Sequence, residues 1–422
     1  MYRSRLLEAV VVNRCLILVL AIALAVRLGL AIAIQVQVDR PPAKLCLIPG
    51  DAEGYWELAQ HIVAKQDYAI YQPPRYVLRV PGFPALLALS QLLFGASPFA
   101  ARCMLACVGT GACGLTYWLG RELVDQTTGL LAATYTALSP TLALFSVLIL
   151  SETAFAATLL LSLIAIAKVA HGLEGGLAAL VNLSLFVGAL IGVATLVRPT
   201  WMYVGLAIAL AVVLLSRGSN ARKGICLAGI AISLGLIMAP WTIRNYLVTG
   251  HLVPTTLWVG PSLYDGLNPT ATGDSDMQFI EIDQLPQRMS EYEVDREYRR
   301  RAWDYALQNP RRAAWLALKK QQRYWSLVPN AGQFQDWRLQ VVVCATSLPL
   351  FVFACWGLWR TRRNLTVVTL TVAPVLLFAA LHLLFVGSLR YRLPAEYPLA
   401  VLAAVGVQSF WNCIRRDGGI AA

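Results

Sequence analysis

The chain has 422 residues, of which 58% are hydrophobic and 14% are charged, and its formal net charge is +12. Soluble domains carry about 45–50% apolar and about 25% charged residues, so this composition excludes a soluble multidomain protein and predicts an integral membrane protein. The basic residues fall between apolar runs, which favours contacts with anionic membrane lipids over the binding of nucleic acid.

The apolar runs set the number of membrane spans. A helix that crosses about 30 Å of hydrocarbon needs about 20 mostly apolar residues. By this measure the sequence predicts ten spans, at 14–37, 98–120, 128–146, 154–170, 178–197, 200–216, 224–240, 338–359, 364–386 and 394–412. We therefore expect an all-α, polytopic transmembrane helical bundle. Gly188 and Gly192 form a small-residue motif in the fifth span and predict close helix packing there.

A further apolar run at 80–95 decides the orientation of every later loop. If this run is left outside the membrane, most Lys and Arg residues of the short loops fall on one side, which the positive-inside rule assigns to the cytoplasm. The run is also short and has Pro81 and Pro84 near its start. We therefore predict that it lies at the outer surface, that both chain ends are cytoplasmic, and that 38–97 and 241–337 face outward.

The predicted topology divides the chain into three parts. These are an N-terminal transmembrane module with the first outer segment (1–240), a second outer segment (241–337) and C-terminal transmembrane helices (338–422). The second outer segment contains two amphipathic helices, one opened by the capping box of Ser290 and Glu293 and the other by Asn309-Pro310. The second of these helices carries Trp and basic residues, so it either lies in the membrane interface or packs as a solvated helix on the outer domain.

Asp51 stands where a helix begins in the first outer segment, after the turn Pro49-Gly50. Tyr55 and Ala59 belong to the apolar face of this helix, which we expect to lie along the bilayer surface. An Asp in this position either caps the helix through its carboxylate or acts as a general base that takes a proton from an acceptor hydroxyl. The spacing leaves both roles open, and one residue can fill both.

Glu152 is a second candidate acid, in the short outer turn Ser146–Thr153. An acid at the mouth of two spans is costly unless it is paired or faces a wet cavity, although the macrodipole of the next helix also favours it. Asp51 and Glu152 are predicted on the same side of the membrane, where two carboxylates could bind a divalent cation or position an acceptor. No Cys or His spacing indicates a metal site, so no cofactor is assigned and this cation is left open.

Four arginines are predicted at the outer rim, where the orientation bias disfavours basic residues: Arg198, Arg244, Arg390 and Arg392. The last two flank Tyr391 just before the final span. Because guanidinium groups pair bidentately with phosphate, these side chains are candidates for holding an anionic ligand such as a lipid phosphate. The alternative is that they are plain snorkelling anchors.

Several of these motifs resemble those of polytopic GT-C glycosyltransferases, specifically the family 39 and protein-mannosyltransferase-like group with its aminoarabinose-transferase relatives. The shared features are Asp51-Ala-Glu-Gly-Tyr55 with Ala59, Arg79-Val-Pro-Gly-Phe-Pro84, Ala137-Leu-Ser-Pro140, Asn309-Pro310 and Arg390-Tyr-Arg-Leu-Pro394. The likeness runs along nearly the whole chain, while each motif is short and degenerate.

The resemblance implies a membrane enzyme that takes a sugar from a polyprenyl-phosphate donor at the outer face of the cytoplasmic membrane. The acceptor is a protein, a lipid or a glycan. By position, Asp51 is then the catalytic acid–base residue, and Glu152 helps to bind metal or acceptor. The candidate substrate-binding residues are Tyr55, Arg198, Arg244, Arg390, Tyr391 and Arg392.

Two other functions stay open at the level of sequence. A transporter usually has repeated halves and charges buried in mid-membrane helices, whereas here no repeat is visible and the charges are expected at the rims. A catalytically silent protein could serve as a scaffold in envelope-glycan assembly, and only an activity test separates that function from transfer.

Overall fold

The computed structural model of the chain confirms the all-α class. It describes residues 2–41, 44–46, 50–329 and 336–418, apart from the side chains at 2–11, 171 and 416–418. This described part contains no strand and only one isolated bridge, between Ile70 and Arg75.

Helices make up most of the described chain and are labelled here in chain order. Those of the N-terminal half are α1 (Tyr2–Val38), α2 (Asp51–Val63), α3 (Gly82–Phe94), α4 (Pro98–Leu123), α5 (Gln126–Leu138), α6 (Pro140–Phe145), α7 (Glu152–Gly172), α8 (Leu177–Val197) and α9 (Trp201–Leu215). Those of the C-terminal half are α10 (Asn220–Thr249), α11 (Val259–Gly266), α12 (Gln278–Asp283), α13 (Leu285–Arg288), α14 (Glu291–Gln308), α15 (Pro310–Tyr324), α16 (Trp337–Thr361), α17 (Leu365–Leu381) and α18 (Leu389–Gly418).

Seven of the described helices are long and apolar enough to cross a membrane, and each coincides with a predicted span: α1, α4, α7, α8, α10, α16 and α18. The chain is therefore a multi-pass membrane protein. Two further predicted spans form shorter helices, since α9 has 15 residues and α17 has 17. At about 1.5 Å per residue, each is shorter than a hydrocarbon core of about 30 Å. The count of ten spans stays a prediction.

The predicted span 128–146 is not one continuous helix. It breaks at Pro140, between α5 and α6, because proline lacks the N–H of a helical hydrogen bond and disfavours helical backbone in the residue before it. Arg27, buried in α1, donates to the carbonyl oxygens of Thr136 (3.1 Å) and Ala137 (3.3 Å) at the end of α5. The expectation that charges lie at the rims is therefore wrong for Arg27. This buried side chain donates hydrogen bonds to the carbonyl groups that the helix break leaves free inside the bundle.

The ends of three spans differ from their predicted positions, and two of these differences move candidate residues. α10 continues beyond 240 and carries Arg244, while α17 ends before 386. α18 begins before 394, so Arg390 and Arg392 lie in its first turn. Pro394 and Pro398 lie inside α18, where transmembrane helices tolerate proline because neighbouring groups satisfy the freed carbonyls. The prediction that Arg390 and Arg392 lie just before the final span was therefore wrong.

The predicted packing through Gly188 and Gly192 is confirmed at the contact of α8 with α10. A Cβ atom at position 188 would lie 2.2 Å from the carbonyl oxygen of Ile230, and one at position 192 would lie 2.7 Å from Ile237. Both distances are too short for any side chain, so the two helices approach this closely only because both residues are glycine. This contact fixes α8, whose C-terminal end leads into Arg198.

The second outer segment folds as α11–α15 against one end of the bundle. The predicted capping box at the start of α14 is confirmed, since the Ser290 hydroxyl accepts a hydrogen bond from the Glu293 amide (3.3 Å) and the Glu293 carboxylate accepts one from the Ser290 amide (2.9 Å). The predicted helix start at Pro310 is confirmed as well.

The basic, Trp-bearing helix α15 packs on the protein through one face. Leu316, Lys320 and Tyr324 on this face are fully buried. Lys320 donates to the carbonyl oxygen of Leu384 (2.5 Å) and the Tyr324 hydroxyl donates to that of Val375 (2.9 Å), so α15 holds the end of α17. The opposite face keeps its Trp and Leu side chains exposed and available to the membrane interface.

Candidate functional site

A cavity of about 900 Å³ lies between the two outer segments and the adjoining ends of α7, α8, α17 and α18. Five of the eight candidate residues line it: Asp51, Tyr55, Arg198, Arg390 and Tyr391. The cavity floor is apolar, with Phe155 and Phe378 among its lining residues, whereas its walls carry charged side chains. A concave site of this size with a few convergent polar groups is typical of ligand binding.

Asp51 is held between two guanidinium groups. Its Oδ1 atom lies 2.6 Å from Arg79 Nη2, and its Oδ2 atom lies 2.8 Å from Arg390 Nη1. Burial by itself raises the pKa of Asp51, but the charges and hydrogen bonds of Arg79 and Arg390 more than offset it, so the pKa lies well below its usual range. The side chain of Asp51 is still 36% exposed, so an ionised carboxylate faces the cavity.

Asp51 is not the N-cap of α2, so the capping role considered for it is wrong. The cap position belongs to Gly50, whose φ of 92° lies in the region that favours glycine. Glu53 instead accepts the hydrogen bond of the Gly50 amide, at 3.2 Å. Pro49, the other half of the predicted turn, lies outside the described residues. The carboxylate of Asp51 is therefore bound by the side chains of Arg79 and Arg390 and not by its own helix.

Glu152 is the first residue of α7 and forms an ion pair with Arg390, although Glu152 itself does not line the cavity. Its Oε1 atom accepts a hydrogen bond from Arg390 Nε and lies 3.6 Å from Arg198 Nη1. Because Arg390 binds both Asp51 and Glu152, the prediction that the two acids lie on the same side is confirmed. Glu152 is only 2% exposed, so it acts on the cavity through the arginines.

We call these five residues the charge cluster: Asp51, Arg79, Glu152, Arg198 and Arg390. Three guanidinium groups face two carboxylates, which leaves one positive charge unbalanced. Three buried polar atoms of the cluster have no hydrogen-bond partner within the described structure, namely Arg79 Nε, Glu152 Oε2 and Arg198 Nη1. An excess cation together with two guanidinium N–H groups that have no partner in the described structure is typical of a site that binds an anion.

Aromatic rings hold the arginines of the charge cluster in place. The Arg79 guanidinium lies 4.4 Å from the ring centre of Tyr55. The Arg198 guanidinium lies 5.3 Å from the ring of Tyr391, which is stacked at 4.4 Å on His382. These cation–π contacts orient the charged groups without neutralising them.

Two candidate arginines lie elsewhere. Arg392 is fully buried, forms an ion pair with Glu396 (2.8 Å) and donates to the carbonyl oxygen of Tyr324 (2.6 Å). Arg244 donates to the backbone carbonyls of Tyr76 (2.6 Å) and Tyr68 (3.0 Å) in the first outer segment. Neither arginine lines the cavity, so both stabilise the surrounding structure, and we leave them out of the proposed site.

The arrangement of the two acids also bears on the divalent cation that the sequence leaves open. The guanidinium of Arg390 lies between Asp51 and Glu152 and occupies the position of a shared cation. The described residues contain no group of three His, Cys, Asp or Glu side chains that could hold a metal ion. His61 and His251 are engaged separately, His61 with the carbonyl of Ala69 and His251 with the ring of Tyr292.

The sequence pattern did not identify every charged residue of the cavity. In the sequence Arg79 stands out only as the basic residue of a motif, and nothing distinguishes Arg75 or Glu291, although all three line the cavity. Glu291 comes from the second outer segment, and its carboxylate accepts hydrogen bonds from the backbone amides of Tyr76 (2.8 Å) and Val77 (3.1 Å). The only available signal was the density of basic residues between α2 and α3.

Residues 74–243, less than half of the chain, match the family model described as dolichyl-phosphate-mannose-protein mannosyltransferase. No curated protein sequence matches the chain. The structure of the oligosaccharyltransferase of Archaeoglobus fulgidus in the apo form is 15% identical, with a TM-score of 0.61, and the match covers 96% of this chain and 51% of that chain. The complex of the same enzyme with an inhibitory peptide and a dolichol-phosphate is 14% identical, with a TM-score of 0.52 and coverages of 96% and 51%.

A further similar structure is that of ArnT from Cupriavidus metallidurans bound to undecaprenyl phosphate, which is 15% identical, with a TM-score of 0.46 and coverages of 93% and 77%. The chain thus spans about half the length of the archaeal oligosaccharyltransferase. The resemblance to GT-C glycosyltransferases seen in the sequence is confirmed at the level of the fold. A fold alone does not fix an activity.

Proposed function

We propose that the chain is a membrane glycosyltransferase that moves a sugar from a polyprenyl-phosphate donor to an acceptor at the outer face of the cytoplasmic membrane. The observation that carries this proposal is the charge cluster at the wall of the cavity, at one end of a transmembrane bundle. The family match over residues 74–243 supports sugar transfer from a lipid phosphate, and the dolichol-phosphate in the similar archaeal structure supports the same donor class.

The donor phosphate is assigned to Arg390 and Arg198. A sugar joined to a polyprenyl chain through one phosphate carries one negative charge there, which balances the excess charge of the cluster. Arg198 Nη1 has no hydrogen-bond partner in the described structure and Arg390 is 19% exposed, so both can share phosphate oxygens. The apolar floor at Phe155 and Phe378 suits the first units of the lipid chain.

Asp51 is the proposed general base. The acceptor hydroxyl oxygen forms a bond to the anomeric carbon while the bond from that carbon to the phosphate oxygen breaks. The hydroxyl proton passes to the Asp51 carboxylate, and the polyprenyl phosphate leaves with the electron pair. Arg79 and Arg390 keep Asp51 in the ionised form that can accept the proton. Its negative charge also stabilises an oxocarbenium-like transition state.

The distribution of basic loops supports an outward-facing site. The connections at the opposite end of the bundle are basic and are held together there, since Arg222 donates to the carbonyl of Leu173 (2.9 Å) and Lys223 to that of Leu214 (2.8 Å). By the positive-inside rule, this basic end belongs to the cytoplasm, which leaves the cavity at the outer side.

The test is a binding and transfer experiment on the purified chain in lipid nanodiscs. We expect it to bind undecaprenyl phosphate, and to release polyprenyl phosphate from one of a panel of polyprenyl-phosphate sugars (mannose, glucose and a pentose) when an envelope extract supplies acceptors. Failure to bind undecaprenyl phosphate would overturn the proposed donor class, whichever sugar the enzyme uses.

Glu53 offers a matched control for Asp51. Both acids lie in the first turn of α2, but Glu53 is bound to the Gly50 amide and does not line the cavity. Release of polyprenyl phosphate should therefore be lost in Asp51→Asn and kept in Glu53→Gln.

A further inference from the structure

The cavity is also lined by parts of the two outer segments that the proposed donor does not use. This outer wall is built by the short hairpin at residues 70–75 and by α11–α14, and its lining includes Tyr71, Arg75, Trp258 and Glu291. Backbone hydrogen bonds in both directions between Ile70 and Arg75 fix the hairpin. A fixed wall in the same cavity as the donor site can hold an acceptor so that its hydroxyl reaches the sugar.

Arg75 is the unusual residue of this wall. It is only 7% exposed, yet its guanidinium makes no hydrogen bond or ion pair within the described part of the chain, and its Nη2 atom is buried without a partner. Burial lowers the pKa of Arg75. A guanidinium has five N–H donors, and a buried one is almost always paired, so a partner for Arg75 is missing.

The nearby acid does not supply that partner. The carboxylate of Glu291 is taken up by the backbone amides of Tyr76 and Val77. Its charge lies close enough to favour the ionised form of Arg75 but makes no hydrogen bond with it. The ion pairs of the charge cluster do not include Arg75 either. Arg75 is therefore a separate, unsatisfied cation at the outer wall.

We propose that Arg75 binds an anionic group, a carboxylate or a phosphate, on the acceptor that receives the sugar. This inference rests on the proposed transfer reaction and names the acceptor class for the same cavity. A carboxylate or phosphate satisfies a guanidinium bidentately, which a neutral hydroxyl cannot do. Bound there, the acceptor is held by Arg75 on one side, while its hydroxyl reaches toward Asp51 on the other.

The experiment measures the binding of small sugars to the full chain in nanodiscs, with undecaprenyl phosphate first added to fill the charge cluster. Saturation-transfer NMR compares D-glucuronate, glucose 6-phosphate and D-glucose. We expect at least one of the two anionic sugars to bind at least about tenfold more tightly than glucose, the scale of one charge-assisted hydrogen bond. Which of the two binds tells whether the acceptor group is a carboxylate or a phosphate.

Three variants decide the assignment. In Arg75→Gln the ratio of the affinity for the anionic sugar to that for glucose should fall close to one. Arg75→Lys keeps the positive charge and should keep part of this preference, which would show that substitution at this position does not unfold the site. Arg288→Gln, which removes an exposed cation at the same rim outside the cavity lining, should change nothing. A preference that is absent in the wild type or unchanged in Arg75→Gln overturns the proposal.

The outcome also separates this proposal from the donor assignment. Loss of undecaprenyl-phosphate binding in Arg75→Gln would place Arg75 in the donor site and overturn its acceptor role. If the wild type does not bind undecaprenyl phosphate but shows an anionic preference that depends on Arg75, the donor proposal fails and the anion site stands.

Discussion

Arg390 and Arg392 are two residues apart on α18, yet they belong to two different regions of the molecule. Arg390 lies at the cavity between Asp51 and Glu152 and is 19% exposed, whereas Arg392 is fully buried beside Glu396. A step of two residues along an α-helix is a rotation of about 200°, so the two side chains leave α18 on opposite sides. Glu396, four residues on, returns to the side of Arg392.

The comparison shows what distinguishes a binding arginine from a structural one. The pair of Arg392 and Glu396 is balanced in charge and enclosed by protein, and it ties α18 to the end of α15. The charge cluster has one cation in excess and borders a cavity. Charge balance and access to the cavity decide the role, since the residue type is the same in both regions.

The largest expected effect concerns the stability of the buried pair. Glu396→Leu leaves Arg392 buried without a countercharge, so we expect a loss of about 3–5 kcal/mol in the free energy of unfolding. The double variant Arg392→Met with Glu396→Leu should recover most of that loss, because no charge then stays unpaired. Unfolding curves in detergent measure both. Equal stability of the single and double variants would show that the pair is not coupled.

Asp51→Asn changes the charge cluster, where we expect a loss of transfer rate and not mainly a loss of stability. Removal of the general base should lower the rate of sugar transfer at least about 100-fold. Because Asp51 is partly exposed at the cavity, its removal should cost less stability than Glu396→Leu. Turnover and unfolding are measured on the same preparation. Near-normal turnover in a well-folded Asp51→Asn protein would remove Asp51 from the mechanism.

Arginine-to-lysine substitutions at positions 390 and 392 compare the two regions directly, with a smaller expected effect than the two preceding changes. Arg390→Lys keeps the charge but loses the planar fork that spans Asp51, Glu152 and the donor phosphate. We expect donor affinity to fall about tenfold, read by titration with undecaprenyl phosphate. Arg392→Lys should lower stability and leave donor affinity unchanged. Reversal of these two outcomes would exchange the roles assigned to the two arginines.

The smallest expected effect concerns pH: protonation of Asp51 should not change the turnover rate in the ordinary working range. Its pKa is lower in the folded than in the unfolded chain, where it is about 3.9. The stabilisation it contributes is therefore present above about pH 3.9 and is lost only as the pH falls through the folded value. We expect donor turnover to show no acid limb above about pH 5. A limb centred near pH 6 would indicate that another group accepts the proton.

Much of the fold could be predicted from the sequence because its signals are local. Apolar runs of about 20 residues located seven long helices, and capping and Asn-Pro signals located the starts of α14 and α15. The break at Pro140 was missed because hydropathy continues across it. The carbonyl groups released there are satisfied by Arg27, which is 109 and 110 residues away from them in sequence.

The site was only partly predictable, for a related reason. The excess of outer arginines against the orientation bias indicated Arg198 and Arg390, which both line the cavity. It could not separate Arg390 from Arg392, because the span was expected to begin after both of them and their helical phase was unknown. The roles of Arg79 and Arg75 could not be predicted, because they depend on which groups the tertiary fold places beside each guanidinium.

The central claim is that the charge cluster, and not the buried pair, holds the donor phosphate. The most direct measurement is a structure of the chain in a nanodisc with undecaprenyl phosphate bound. The account predicts phosphate density within hydrogen-bond distance of Arg390 and Arg198, at the wall of the cavity that carries Asp51. Phosphate density beside Arg392, or at a site remote from Asp51, would contradict it.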